Sequence, residues 1–360
     1  VFAYDVNSGA LNTAFRPTFT RNGGAPEVLA VEPGANNSTV YLGGKFNTVN
    51  GHGHQRLTKM SLTTGAVDTG FLSINDGFIR DILLTRGRLF VGGEFETINN
   101  KARSRVAELD PDTGAVAGFR ADITASTREP GRPYGPKYLG ATPDNTLVIA
   151  HRGRLVNGLV RTGIALVDLD TDTVLPWRTQ FWGTNAVTTV DAEVSPDGTY
   201  VVLGGDGGDF PFIGRDSAVA FSLENKNRAT QEPIWIARNF DSTYAVGISD
   251  DTVYLGGHFC WVESHVARDP YPAIGQYTNN NSCFGVTPAG RFAPEVVNRD
   301  QIAALDPATG HALDWDPGSD GFEGVLSIEV IGRGLLVGHD GTFLGRDGDE
   351  RRAWNVGRHG

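Results

Sequence analysis

Residues Leu89–Gly114, LFVGGEFETINNKARSRVAELDPDTG, decide how this chain is read. Leu89-Phe90-Val91 reads as a β-strand running into Gly92-Gly93, where missing side chains let another backbone come close. Phe95 turns a ring back toward the layer, and the polar run Asn99 to Arg103 leads to a second strand, Val106-Ala107-Glu108-Leu109. Asp110-Pro111-Asp112-Thr113-Gly114 closes it as a turn: Pro presets φ, Asp bonds its own backbone, and Gly supplies a positive φ.

The same sentence recurs outward from this stretch. Val40-Tyr41-Leu42-Gly43-Gly44-Lys45-Phe46 precedes Arg56 and Leu57 to Gly65. Val1 to Leu11 matches only the second half. A degenerate third copy has Leu147-Val148-Ile149-Ala150-His151 with Ile164 to Val167, and a fourth has Tyr200 to Gly205 with Ala218 to Phe221. The fifth has Val253 to Phe259 and, after a long insertion, Ile302 to Gly310; the sixth has Leu335 to His339 and Arg351 to Trp354. The first glycine slot falls at 43, 92, 150, 204, 256 and 338, with the last gap widened by the insertion. A period of about 40–50 residues with several strands per unit is a propeller signature. An apolar strand precedes each glycine slot (Val28–Val31, Ile79–Leu84, Tyr138–Gly140, Val190–Val194, Tyr244–Ile248, Val325–Val330). An aromatic strand follows each turn, with Phe15, Phe71, Phe119, Trp177, Trp235 and Trp315.

The expected fold is therefore an all-β, six-bladed β-propeller of four-stranded antiparallel blades. The single domain 1–360 divides into blades near 27–71, 79–119, 138–177, 187–235, 244–315 and 325–360, the last joined by 1–15. A ring exposes sheet edges unless its last blade draws strands from both termini, and Val1 to Phe15 can supply the outer ones.

Composition agrees and narrows the functions. Forty-seven Gly and 18 Pro mean many turns, and 360 residues bury a core without staples. The net charge of -11 argues against nucleic acid and anionic membrane surfaces as partners. No apolar run is long enough for membrane insertion. The two cysteines, Cys260 and Cys283, bracket an Asn-rich insertion (260–283) and suggest a disulfide in an oxidising, extracellular compartment. Val1 is not an initiator Met, which suggests an upstream segment was removed, or a larger parent polypeptide or assembly.

The string GG-x-F-x-x-[VI]-N-x…R…[LI]-A-x-L-D-P-x-T-G resembles the delta-60 β-propeller repeat and the propeller regions of secreted actinobacterial proteins. Ala150-His151 and the segment Asp206-Gly207-Gly208-Asp209 depart from it. The resemblance implies a propeller with a secreted, cell-surface-associated life, and it brings no catalytic motif.

Candidate sites then fall on loops and innermost strands. Asp81, Asp191 and Glu323 are carboxylates that acid/base work on a glycosidic bond would require. In the insertion, Trp261, His265, Tyr271 and Tyr277 suit stacking on a carbohydrate or gripping a protein. Arg128, Arg132 and Tyr134 form a cationic, proline-stiffened loop able to grip carboxylates or phosphates. Asp206, Asp209 and Asp216 in a Gly-rich loop are the candidates for structural calcium; no other cofactor is expected. The favoured reading is a non-catalytic recognition or scaffold module binding a cell-surface glycan or protein through one rim face. The alternatives are a polysaccharide-active hydrolase or lyase and a structural component of a larger extracellular assembly.

Overall fold

The computed structural model describes residues 1–5, 7–124, 134–182, 187–206, 216–239, 241–263, 296–332 and 334–345. The chain divides into two compact units. One holds Val1–Ala141, Leu147–Arg161 and Val167–Val174; the other holds Thr142–Thr146, Thr162–Leu166 and Leu175–Gly360. The first unit contains the first two copies of the repeat and the second contains the last three, with the division running through the third.

The described residues are all strands, turns and loops. Six innermost strands, Glu27–Pro33, Ile79–Thr85, Pro136–Ala141, Thr189–Val194, Thr243–Ile248 and Val325–Ile331, each pair antiparallel with the glycine-bearing strand that follows. Each innermost strand skips one residue at the same place: Leu29, Arg80, Lys137, Val190, Tyr244 and Leu326 are bulged out of the ladder. The residue after the bulge faces the first glycine slot every time, Ala30 on Gly43, Asp81 on Gly92, Tyr138 on Ala150, Asp191 on Gly204, Ala245 on Gly256 and Ser327 on Gly338. The spacing of 43, 92, 150, 204, 256 and 338 is thus a real register, including the degenerate third copy. A bulge also sharpens the local twist.

The repeated residues are explained by contacts inside the fold. A Cβ on the first glycine would strike the next innermost strand: Gly43 faces Ile79 Cγ2 at 2.5 Å and Gly256 faces Val325 Cγ1 at 2.3 Å. A Cβ on the second would strike a carbonyl, Glu27 O at 2.1 Å for Gly44, Phe78 O at 2.0 Å for Gly93 and Ser242 O at 2.0 Å for Gly257. Phe46, Phe95 and Phe259 are fully buried. The asparagine is a clamp. Asn50, Asn99 and Asn157 all hold φ near +50°, and their Oδ1 atoms accept from Thr18 N (2.8 Å), Ile74 N (2.7 Å) and Asp122 N (2.8 Å) on the preceding link. The residue before each third strand also has a positive φ: 68° at Arg56, 75° at Arg105, 49° at Asp216 and 68° at Gln301. Arg56, Arg105 and Gln301 donate their N–H to Phe46, Phe95 and Phe259 and accept from Gly44, Gly93 and Gly257. Finally, Asp110 Oδ1 accepts from the Thr113 N–H (2.7 Å) and hydroxyl (2.8 Å), as Asp306 does from Thr309 and Asp5 from Ser8. Those bonds, the Thr113 hydroxyl first, hold the Asp110 carboxyl below its ordinary value.

One expectation needs correction in detail. Sheets of four are rarer than expected: in the first, second and fifth copies the fourth strand shrinks to single bridges, Met60–Val67, Leu109–Val116 and Leu305–Ala312. Ser61 caps the turn in the first copy, as Asp110 and Asp306 do in the second and fifth, and the chain leaves the twisting edge after one pair. The described strands form separate sheets of two to four strands, none closed on itself.

The aromatic ring is buried in five places, at Phe15, Phe71, Phe119, Trp177 and Trp235, although of these only Trp235 lies in a strand. Phe71 packs with Leu89, Val91 and Leu109 of the next copy, and Trp235 with Val253, Leu255 and Leu305, its Nε1 donating to Pro307 O at 2.8 Å. Trp315 is the exception, 41% exposed and in edge contact with Tyr254 at 5.6 Å. The sixth pair, which it precedes, has no third strand among the described residues. Val1 to Phe15 forms its own half-repeat, with a Tyr4–Leu11 bridge and the Asp5 turn. Phe15 packs with Val40, Leu42 and Met60 of the first copy, as Phe71 packs on the second.

Candidate functional site

The innermost carboxylates are positioned by the bulge. Asp81 follows the skipped Arg80, and its two oxygens accept from Ile82 N (2.9 Å) and from Leu139 N (2.5 Å) on the innermost strand of the next copy. Asp191 follows the skipped Val190 and repeats the arrangement, accepting from Val246 N at 2.9 Å and from Ala192 N. Glu32 Oε1 accepts from Leu84 N at 2.7 Å in the same sense. These groups latch one innermost strand to the next. Burial pushes the Asp191 carboxyl up to about 7, with the charge of Glu329 adding to it and the two backbone N–H groups opposing. Glu323 sits elsewhere, on the loop before Val325–Ile331, where its N–H donates to Asp340 Oδ2 at 2.8 Å.

The other expected site residues separate. Trp261 is half-buried at the start of a strand pair with Val296–Asn298, opposite Asn298, and Cys260 beside it is buried. His265, Tyr271, Tyr277 and Cys283 lie outside the described residues, as do Arg128, Arg132 and Asp209. Tyr134 is tied down: its ring lies 4.2 Å from the Arg105 guanidinium, and its hydroxyl accepts from Arg105 at 2.8 Å and reaches Glu96 Oε1 at 3.3 Å. Asp216 is buried in the frame position that Arg56 and Arg105 occupy in their copies, with Asn239 N donating to its carbonyl at 3.0 Å. That is a backbone role. Among the described residues no group of three His, Cys, Asp or Glu converges as a metal site would require.

Sequence reasoning missed two clusters at the starts of innermost strands. In the second unit, Tyr244 is pushed above its ordinary value by burial first and then, against a hydrogen bond from Ser242, by the carboxylates of Glu323, Asp241 and Asp206. Beside it His258 Nδ1 stands 3.4 Å from Asp241 Oδ2, with the 65%-exposed ring of Phe322 at 5.9 Å. In the first unit, three cations surround the half-buried ring of Phe78: Arg21 at 5.1 Å, Lys45 at 5.7 Å and Arg56 at 5.8 Å. Glu27 accepts from Lys45 at 2.7 Å and lies 3.8 Å from Arg21. The signal for this cluster was spread over residues 21 to 78 with no motif joining them.

Comparison with known proteins bears on the fold. No family model matches the chain, so the resemblance to delta-60 repeats has no family model behind it, and no curated protein matches either. Solved structures do match. The chain is similar to the β-propeller domain of Myceliophteria thermophila Cps50 (Swd1), with a TM-score of 0.55 and 8% identity over 93% of this chain and 86% of that one. It is also similar to U3-55K, with a TM-score of 0.54 and 13% identity over 98% and 86%. The WD40 repeats of RRP9 match with a TM-score of 0.52 and 12% identity over 98% and 85%. At these identities the likeness speaks to architecture alone: this is a β-propeller.

Proposed function

We propose that the chain is a six-bladed ring, its last blade completed by residues 1–15, that acts as a non-catalytic recognition or scaffold module. Its partner is a protein or a cell-surface glycan, met on a rim face, and its setting is extracellular. The observation that carries this reading is the fate of the repeated polar groups: Asp81, Asp191, Asn99, Arg105 and Asp110 are all engaged with backbone of the blades. Recognition is left to residues that differ from copy to copy. The likeness to WD40-repeat propellers supports an interaction or scaffold role. Closure is supported by Phe15, which packs on the first copy as Phe71 packs on the second. The secreted setting rests on the delta-60 resemblance and on a proposed Cys260–Cys283 bridge, which peptide mapping with and without reductant would reveal or refute.

The experiment is a glycan array together with a protein pull-down, run with the full chain and with Trp261→Ala and Tyr271→Ala. Specific capture of a ligand is expected, weakened by about tenfold or more if the aromatic insertion carries the contact. Failure to capture either class of ligand would sink the reading.

One observation favours a second reading, a polysaccharide-active hydrolase or lyase: a carboxyl near pH 7 is what a general acid requires, and Asp191 has one. Turnover of any polysaccharide that survives Asp191→Asn and Asp81→Asn would dispose of these two groups as its catalysts.

A further inference from the structure

Around Phe78, Arg56 repeats from its frame position the way Arg105 lies over Tyr134, and Arg21 and Lys45 join it. Arg21 comes from the link before the first innermost strand, Lys45 from the end of the first glycine-bearing strand, and Arg56 from the turn before the third strand. Phe78 precedes the second innermost strand, at a place held by Glu27, Thr188, Ser242 and Gly324 in other copies. The backbone frame therefore does not call for an aromatic ring there.

The charge balance is unfavourable as it stands. Glu27 is shared between Lys45 and Arg21. Asp76, a second carboxylate near Arg56, already accepts from Glu96 N, Thr97 N and the Thr97 hydroxyl. Arg56 donates to the Asn75 carbonyl, which carries no full charge. Burial pulls its guanidinium below the ordinary value, and Arg21 adds repulsion while Asp76 opposes. Three cations on one ring with so few free carboxylates gain from an incoming anion, since desolvated cation–carboxylate pairs are stronger than exposed ones.

We propose that this cluster is the docking point for an acidic segment of a partner protein, its carboxylates meeting Arg21, Lys45 and Arg56 and an apolar neighbour resting on Phe78. The proposal deepens the recognition reading and depends on it. A peptide fits better than a nucleic acid, because the chain's net charge of -11 repels a long polyanion while a short acidic segment feels mainly the local cations. It also fits better than a polysaccharide. Two residues beyond Glu27 on the same strand, the bulged Leu29 is 36% exposed, and a uronate chain offers it no apolar side chain.

The test uses the full chain and a fluorescein-labelled oligoglutamate peptide read by anisotropy, with an oligoglutamine peptide and a uronate polysaccharide of matched charge alongside. The peptide should bind, with affinity falling as salt rises, and Arg21→Gln combined with Lys45→Gln should weaken it by about tenfold. Lys101→Gln combined with Arg154→Gln removes the same charge elsewhere and should leave binding within about twofold. Thermal melts establish that both double variants are folded. No peptide binding, equal binding by the Arg21/Lys45 variant, or tighter binding of the polysaccharide would overturn the proposal. A pull-down partner retained equally by wild type and that variant would overturn it too, while leaving recognition itself standing.

Discussion

Gly93→Ala is expected to destabilise the protein by about 3 kcal/mol or to prevent folding, although it adds one methyl group. The new Cβ would lie 2.0 Å from Phe78 O and 3.0 Å from Ile79 Cα. Both are backbone of the paired innermost strand, so neither can rotate away. The clash falls inside a ladder whose register is set on both sides of a bulge, and relief would require opening Ile79–Gly93 and its neighbours. Gly118→Ala is the matched control, since its Cβ would meet nothing within 4 Å, and it should stay within about 0.5 kcal/mol of wild type. Urea unfolding of the two variants settles the matter. Equal stability would mean the double glycine serves something other than close packing.

Asp191→Asn is expected to make the protein more stable at alkaline pH, by about 1–3 kcal/mol at pH 8. The carboxyl is pushed up to about 7 in the folded protein, against an ordinary value near 4 in the unfolded chain. Between those two pH values the native state keeps a proton that the unfolded state has released. Stability therefore falls as pH rises through the window, and below about pH 4 the penalty is absent. Asparagine cannot ionise, yet its Oδ1 still accepts from Val246 N. The gain is trimmed because one oxygen replaces the two that now serve Val246 and Ala192. The gain should be level above about pH 7, shrink as pH is lowered through the window below it, and be gone by about pH 4. A pH-independent difference would show that the proton is not held where the geometry places it. Asp81→Ala, by contrast, strands Leu139 N and should cost about 1–3 kcal/mol.

Much of the fold was legible because each repeated residue answers a backbone requirement. Two glycines were needed where a Cβ meets carbonyl oxygens or side-chain carbons at 2.0–3.0 Å, and an asparagine where φ is near +50°. Such needs leave a mark at fixed spacing, which is why even Ala150 could be aligned. The fourth strand was over-read: alternating residues after the Asp turn look like a strand, but pairing along an outer edge depends on how far the twist has carried it away. The carboxylates were legible but their bonds were not: the bulge that aims Asp81 at Leu139 N and Asp191 at Val246 N leaves no trace in composition. The Phe78 cluster was invisible for a different reason. Arg21, Lys45, Arg56 and Phe78 are brought together by two sheets, and no single stretch contains them.

The skipped residue on each innermost strand has a longer consequence. Leu29, Arg80, Lys137, Val190, Tyr244 and Leu326 share one position, yet they span aliphatic, cationic and aromatic chemistry. The ladder closes around that position without consulting its side chain. Six places can therefore be rewritten one at a time, by drift or by an engineer, changing what the molecule presents to a visitor while the scaffold goes on folding as before.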